Sequence, residues 1–361
     1  MKIGILTFHN ALNYGAVLQC YALQKFLQEK GFEVSVIDYR NRWIEGVYEP
    51  FSMYVALRYI KKPRAFAGYI RSINRRKHKY ADKRMFYSDF EKKHLAVSER
   101  ISTKDKISAN NYDAIIIGSD QVWGLSCLGG LFDDAYLGCF VHNRTKVIGY
   151  AISTDMYSLR KLSEKHDFTN VIERFDEISF RESDYADFIN ERVAKHVYTC
   201  VDPTLLLPST GWDEIVDDKW KAKNYVAIYQ VRYKVGYENY IYDIAKKSAE
   251  LFGRDCEIID LNGEYSVEDF VSVIRYAKLV ITSSFHATAF SVIFGTKFYS
   301  IQLNDGYDTR YVSLLKKLNL TSRLICIGSD IDSQEIVKQL PGYSLQRINS
   351  DSVEFLKNSL K

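Results

Sequence analysis

An α/β protein of two domains is predicted by three features of this 361-residue sequence. Short β-branched apolar runs alternate with amphipathic stretches along most of the chain, the pattern of parallel strands joined by crossover helices. A polar segment at 207–224, LPSTGWDEIVDDKWKAKN, carries Pro208 and Gly211 and splits that alternation into two series. The length also exceeds what one hydrophobic core ordinarily organises. Two Rossmann-like domains facing a cleft are therefore expected, the first over 1–207 and the second over 208–361.

The first domain opens with KIGILTF as a strand, AVLQCYALQKFLQEKG as an amphipathic helix closed by Gly31, and EVSVIDY as a second strand. That order makes the two strands parallel. The rhythm then breaks. RYIKKPRAFAGYIRSINRRKHKYADKR, with Pro63 as its only early breaker, reads as a basic helical insertion near 55–95. YDAIIIGSD, KVIGYAIS, EISFRES and VYTCVDPTLLL resume the strands, each ending in small polar or charged residues where open α/β sheets bind ligands. In the second domain YVAIYQV, CEIIDL, LVITSS, KFYSIQL and RLICIG read as strands, and the charged tail from Gln334 onward as surface helix.

Composition narrows the function classes. Hydrophobic residues make up 47% and charged residues 26%, which excludes a disordered chain. A formal net charge of +4 is too small to point to nucleic acid, so none is expected as a partner. No run reaches the roughly 20 apolar residues of a membrane span, and MKIGILTFHN reads as strand, so a cytoplasmic location is expected. Six cysteines without a C-x-x-C pair suggest neither zinc nor disulfides, and are expected to be small buried hydrophobes. The 27 tyrosines and 20 phenylalanines fit either an aromatic core or a sugar-binding cleft.

Four strand-to-helix turns carry candidate chemistry, because a helix N-terminus offers convergent N–H groups to an anion. In FHNALNYGAVLQ, Asn13 and Gly15 close the first turn, as a ligand approach or as a plain tight turn. In IIIGSDQVWG, Ser119, Asp120 and Gln121 present polar groups and Trp123 a flat face for a sugar ring, the alternative being a capped helix with a core tryptophan. In ISFRES, Arg181 either grips an anion bidentately or pairs with a neighbouring carboxylate. Arg232 and Arg310 follow strands of the second domain in the same way.

The fourth turn is ITSSFHATAFSVIFG. Ser283 or Ser284 can cap its helix, and His286 lies in the first turn. The dipole end disfavours a second positive charge, so this imidazole is expected to give or accept a proton, or else to be bonded to a backbone carbonyl as an ordinary structural histidine. His78 and His94 lie in charged segments, and His142, His166 and His196 in connections; His9, beside the first turn, is the one rival.

Taken in order, NYGAVLQCYALQKFL, GSDQVWG, ISFRES, VDPTLLL and ITSSFHATAFSVIFGTKFYSI resemble the polysaccharide pyruvyl transferase family, over about residues 1–325. The resemblance implies a fold like that of GT-B glycosyltransferases. It also implies transfer of the enolpyruvyl group of phosphoenolpyruvate to two hydroxyls of a sugar, giving a cyclic ketal and phosphate. His286 matches the family's functional histidine, and Asp120 is a second candidate for proton transfer. Ser283, Ser284, Thr288, Arg181, Arg232 and Arg310 are the candidates for holding the donor anion. Asn13, Gly15, Ser119, Gln121 and Trp123 are those for the acceptor, a sugar or lipid-linked oligosaccharide. No metal or cofactor is required.

The family pattern has an arginine two positions before its histidine, where this chain has Ser284. A hydroxyl cannot replace a guanidinium as an anion clamp, so another arginine must act or the donor differs. A glycosyltransferase taking a nucleotide sugar and a catalytically silent carbohydrate-binding relative remain the alternatives. The eleven lysines and arginines of 58–84, interleaved with aromatic and apolar residues, are expected to suit either a solvated helical face or peripheral contact with an anionic membrane.

Overall fold

The computed structural model describes residues 1–107, 111–140, 145–165, 167–331 and 338–361, so His142 and His166 lie outside the described residues. Contacts divide the chain into unit 1, Met1–Leu206 with Asp351–Lys361, and unit 2, Leu207–Ser350. The last residues thus fold with the first unit rather than with the second domain to which the sequence assigns them. Ser352 Oγ accepts the Val201 N–H at 2.9 Å, and Phe355 packs on Tyr198 with ring centroids 5.3 Å apart.

Unit 1 runs β1 (Lys2–Leu6), α1 (Tyr14–Glu29), β2 (Glu33–Val36), α2 (Arg42–Tyr48), α3 (Met53–Tyr59), α4 (Pro63–Lys79), α5 (Ala81–His94), β3 (Ala114–Ile117), β4 (Lys146–Ile152), α6 (Met156–Lys165), α7 (Phe168–Glu173), β5 (Glu177–Phe180), α8 (Ser183–Asn190) and β6 (Tyr198–Thr199). Its sheet is parallel, in the order β2-β1-β3-β4-β5-β6. Central strands such as β3 are buried along their whole length because helices cover both faces, and this is why they read as unbroken apolar runs. β6 is shorter than VYTCVDPTLLL predicts. Pro203, which has no N–H to give a ladder, begins a 3₁₀ turn over Pro203–Leu206. The segment expected as an insertion near 55–95 holds the three helices α3 to α5, and α2 precedes it.

Unit 2 runs β7 (Tyr225–Tyr229), α9 (Tyr240–Phe252), β8 (Glu257–Asp260), α10 (Val267–Tyr276), β9 (Leu279–Thr282), α11 (Phe285–Phe294), β10 (Phe298–Gln302), α12 (Thr309–Lys317) and β11 (Leu324–Cys326); α13 (Leu345–Ser359) then leads back to unit 1. Its parallel sheet has the order β11-β10-β9-β7-β8. Residues 207–224 are more than a polar linker. Trp212 and Trp220 are buried in it, Trp212 edge-on to Phe290 at 4.6 Å and Trp220 donating through Nε1 to Asp269 at 2.8 Å. Among the cysteines, Cys20 and Cys200 are buried as small hydrophobes, whereas Cys326 is exposed.

Strand order fixes where each unit can bind a ligand. In unit 1 the chain passes from β1 to β2 on one side and then crosses to β3 on the other, so neighbouring loops leave the β1 and β3 ends in opposite directions. The same reversal occurs in unit 2 between β7 and β9. Such switch points open a crevice at the carboxyl end of a parallel sheet, the usual ligand position of this architecture.

Candidate active site

His286 sits at the unit 2 switch point. Leu279–Thr282 forms the buried strand β9, and Ser284, in extended conformation (φ −105°, ψ 134°), stops it and caps α11 by accepting the Ala287 N–H at 3.4 Å. His286 is the second residue of that helix and partly exposed, with its ring 5.1 Å from that of Phe285 and nearly perpendicular to it. At the other end, Gly295 takes a left-handed conformation (φ 68°, ψ 18°) that closes the helix. Ser283, Ser284 and Thr288 are all buried, and each hydroxyl takes part in a bond of the turn. Ser283 Oγ accepts the Val231 N–H at 3.3 Å, and Thr288 donates to the Ser284 carbonyl at 2.9 Å while meeting Ser300 Oγ at 2.7 Å. These bonds shape the turn.

The two arginines of unit 2 differ. Arg232, just beyond β7, is paired with Asp305 and, at 2.8 Å, with Asp308. Burial favours loss of its proton, but the Asp308 hydrogen bond and the Asp305 charge outweigh that and raise its pKa above the ordinary value. Its charge is therefore already met, and it acts on the loop that also receives hydrogen bonds at Asp308 from Asn304 and Tyr311. Arg310, in the first turn of α12, is partly exposed, and it makes no hydrogen bond or ion pair among the described residues. Helix α12 packs against α11.

Gln230, absent from the sequence reading, is a further candidate. It follows β7 directly, its backbone is held by Asn262 on both sides, and its side chain is buried. Its amide Nε2 has no hydrogen-bond partner among the described residues. A buried donor left unmet costs about 1–3 kcal/mol, which an oxygen of a bound ligand would recover. The signal in the sequence, one glutamine after an apolar strand, is too common to single out.

In unit 1 the switch point is knitted by Gln19 of α1, which donates to Thr7 Oγ1 at 2.8 Å and accepts the Ser119 N–H at 3.3 Å. Gly118 has φ +126°, and a Cβ there would collide with the Tyr150 carbonyl, so only glycine fits the end of β3. Asp120 is partly exposed just beyond, accepting the Gln121 N–H at 2.7 Å, while Gln121 Oε1 accepts from the Cys127 thiol at 3.1 Å. Asn13 is exposed and caps α1 through Ala16 N–H at 3.3 Å, and Gly15 is buried within that helix.

Two expectations for this unit are corrected. Trp123 is fully buried, donates to the Tyr136 carbonyl at 2.9 Å and packs on Phe175 and Phe180, so it cannot stack on a sugar. Arg181 is buried, lies 2.9 Å from Asp202, and donates to the Ser119 carbonyl and, at 3.1 Å, to the Ser119 hydroxyl. Its charge is met inside the unit, which makes it a structural tie between β3, β5 and the turn after β6. Ser119 is buried with it.

His9 is buried between the Thr7 carbonyl, 3.3 Å from Nδ1, and Asp38 Oδ1, 3.0 Å from Nε2, with Arg40 on the same carboxylate. Beside it a cavity of about 330 Å³ is lined by Asn10, Arg40, Tyr48, Arg84, Glu91 and others. The remaining described histidines do not approach a switch point: His78 is exposed on α4, His94 packs on Phe90 and His196 on Tyr198. Among the described residues no group of three His, Cys, Asp or Glu could hold a metal ion.

The family profile described as polysaccharide pyruvyl transferase matches residues 13–305, most of the chain, across both switch points. The chain belongs to that family. A polysaccharide pyruvyl transferase is a transferase, and the match includes His286, Asp120 and the turn at Gly118. None of the curated proteins matches the chain. Among solved structures, the chain is similar to a UDP-GlcNAc 2-epimerase from Methanocaldococcus jannaschii (11% identity, TM-score 0.49, covering 99% of this chain and 100% of that one). It is also similar to the E. coli heptosyltransferase WaaC with ADP-2-deoxy-2-fluoro heptose (11% identity, TM-score 0.35, all of both chains). Likeness at that level assigns neither a substrate nor a residue. No helix among the described residues is long and apolar enough to cross a membrane.

Proposed function

We propose that this polysaccharide pyruvyl transferase takes phosphoenolpyruvate as donor and forms a pyruvate ketal on a sugar during surface or capsular polysaccharide assembly in a bacterial cytoplasm. The observation that carries the reading is the position of His286: a partly exposed imidazole in the first turn of a capped helix, at the crevice of a parallel sheet.

The donor needs cationic and N–H partners around its phosphate and carboxylate. The α11 N-terminus and Arg310, which has no carboxylate partner among the described residues, meet that need in unit 2, with Gln230 Nε2 as a neutral donor. Arg232 positions the loop beside them. Ser284, where the family has arginine, works as the helix cap, and Arg310 takes over the clamp.

In the first step one sugar hydroxyl adds to C2 of phosphoenolpyruvate while its methylene carbon gains a proton and becomes a methyl group. In the second, the other hydroxyl attacks C2, the C–O bond to the phosphate breaks, and phosphate leaves with the bridging oxygen. One hydroxyl proton balances the methyl group and the other departs with phosphate or solvent. His286 carries one of these transfers, a role that contributes about 10²–10⁴-fold to rate. Asp120 is the second base. Within unit 1, the cavity beside His9 has guanidinium donors, carboxylate acceptors and a tyrosine face, groups that suit a polyhydroxylated ring.

A silent relative is favoured by one observation alone, the replacement of the family arginine by Ser284. Phosphate release from phosphoenolpyruvate across a panel of glycan acceptors separates the readings. Acceptor-dependent release, lost in a folded His286→Ala variant, is expected. Release that is unchanged in the variant, or absent with every acceptor, contradicts the proposal.

A further inference from the structure

Residues 51–78 contain eight lysines and arginines and no aspartate or glutamate. Two of these cations serve the fold: Arg58 donates to the Gly129 carbonyl, and Arg76 to those of Gly46 and Val47 at 3.0 and 2.6 Å. The other six, Lys61, Lys62, Arg64, Arg71, Arg75 and Lys77, are exposed. Arg64, Arg71 and Arg75 follow one another at i, i+7 and i+11, a single face of α4.

Helix α3 beside it turns Val55 and Ala56 inward against Tyr69. On its outer side Met53, Leu57 and Ile60 are 62, 56 and 60% exposed, at i, i+4 and i+7, with Phe51 and Tyr54 next to them. A continuous apolar stripe in water is unfavourable and calls for a cover. The cover must also accept a ring of cations.

We infer that this α3–α4 surface docks on an anionic lipid bilayer, with Met53, Leu57 and Ile60 at the headgroup–acyl boundary and Arg64, Arg71 and Arg75 on lipid phosphates. Charge complementarity decides the occupant. A second copy of the chain, placed by a two-fold axis, would set these cations against themselves. The inference does not rest on the transferase reading, since neither face belongs to the candidate active site.

Co-sedimentation of the full chain with phosphatidylcholine vesicles, with and without about one third phosphatidylglycerol, tests it. Binding to the anionic vesicles only, weakened by added salt, is expected. Joint Arg64→Glu, Arg71→Glu and Arg75→Glu substitution should lower partitioning by about tenfold or more, and Leu57→Ser with Ile60→Ser should lower it at high salt, where the charges are screened. All five side chains are solvent-facing, so unchanged melting temperatures should accompany the loss. Equal binding to both vesicles, no binding to either, or self-association of the wild type that Leu57→Ser removes would overturn the inference.

Discussion

Ser283 Oγ lies 3.3 Å from the backbone nitrogen of Val231, tying the end of β9 to the end of β7 where their loops part. The bond keeps two divergent segments in register, one leading to His286 and the other carrying Gln230 and Arg232. Thr282 supports it by donating to the Tyr229 carbonyl at 2.6 Å. Ser283→Ala is therefore expected to cost only about 1 kcal/mol of stability, the ordinary worth of one buried hydrogen bond. Its effect on turnover should be larger than that figure implies, because the loss falls on geometry. Urea denaturation beside steady-state kinetics checks this; equal small effects on both would show that the tie does not position the site.

Gln230 gives the opposite trade. Its Nε2 is buried with no hydrogen-bond partner among the described residues, so Gln230→Met, of similar length and apolar, should raise stability by up to about 1–3 kcal/mol. The same change should raise KM for phosphoenolpyruvate. A variant that is both less stable and unchanged in KM would place the amide outside the ligand's reach.

Arg181 and Asp202 predict a stability effect without a donor effect. Removing one partner strands a buried charge, so Arg181→Met should destabilise by about 3–5 kcal/mol, with Arg181→Met plus Asp202→Leu recovering much of it. Chemical denaturation measures both. Full stability of Arg181→Met with a raised KM for the donor would restore the anion-binding role that burial argues against.

Asp38 sets an acid limit. Its burial opposes ionisation, but hydrogen bonds from His9 and Arg40, and then their charges, pull its pKa down to about 2. A carboxylate whose pKa is lowered on folding stabilises the fold above its unfolded value, and that contribution is lost as pH falls through the folded one. Wild-type stability should thus decline between about pH 4 and pH 2 by an Asp38 share of about 2 kcal/mol that Asp38→Asn lacks. Parallel curves for the two proteins would deny the coupling.

Much of the architecture was readable in the sequence because parallel strands covered on both faces must be apolar throughout, and AIII, LVIT and YVAIY have few other uses. The His286 turn was readable for a related reason: a strand, a capping serine and an apolar helix ending in glycine leave the histidine one place to sit. What escaped depends on distant partners. Arg181 looks like a ligand until Asp202 arrives across the sheet, and Trp123 looks like a platform until Phe175 and Phe180 close over it. Gln230 escaped for the converse reason, since a missing partner leaves no pattern at all.

The imidazole resonances of His286, assigned by their absence from a His286→Gln variant, offer the most direct test when followed by NMR during titration with phosphoenolpyruvate. Saturable displacement of those signals, weakened about tenfold or more in an Arg310→Ala variant, is the predicted result. Phosphoenolpyruvate that binds without moving them, or that fails to bind at all, would contradict the assignment of the donor to this crevice.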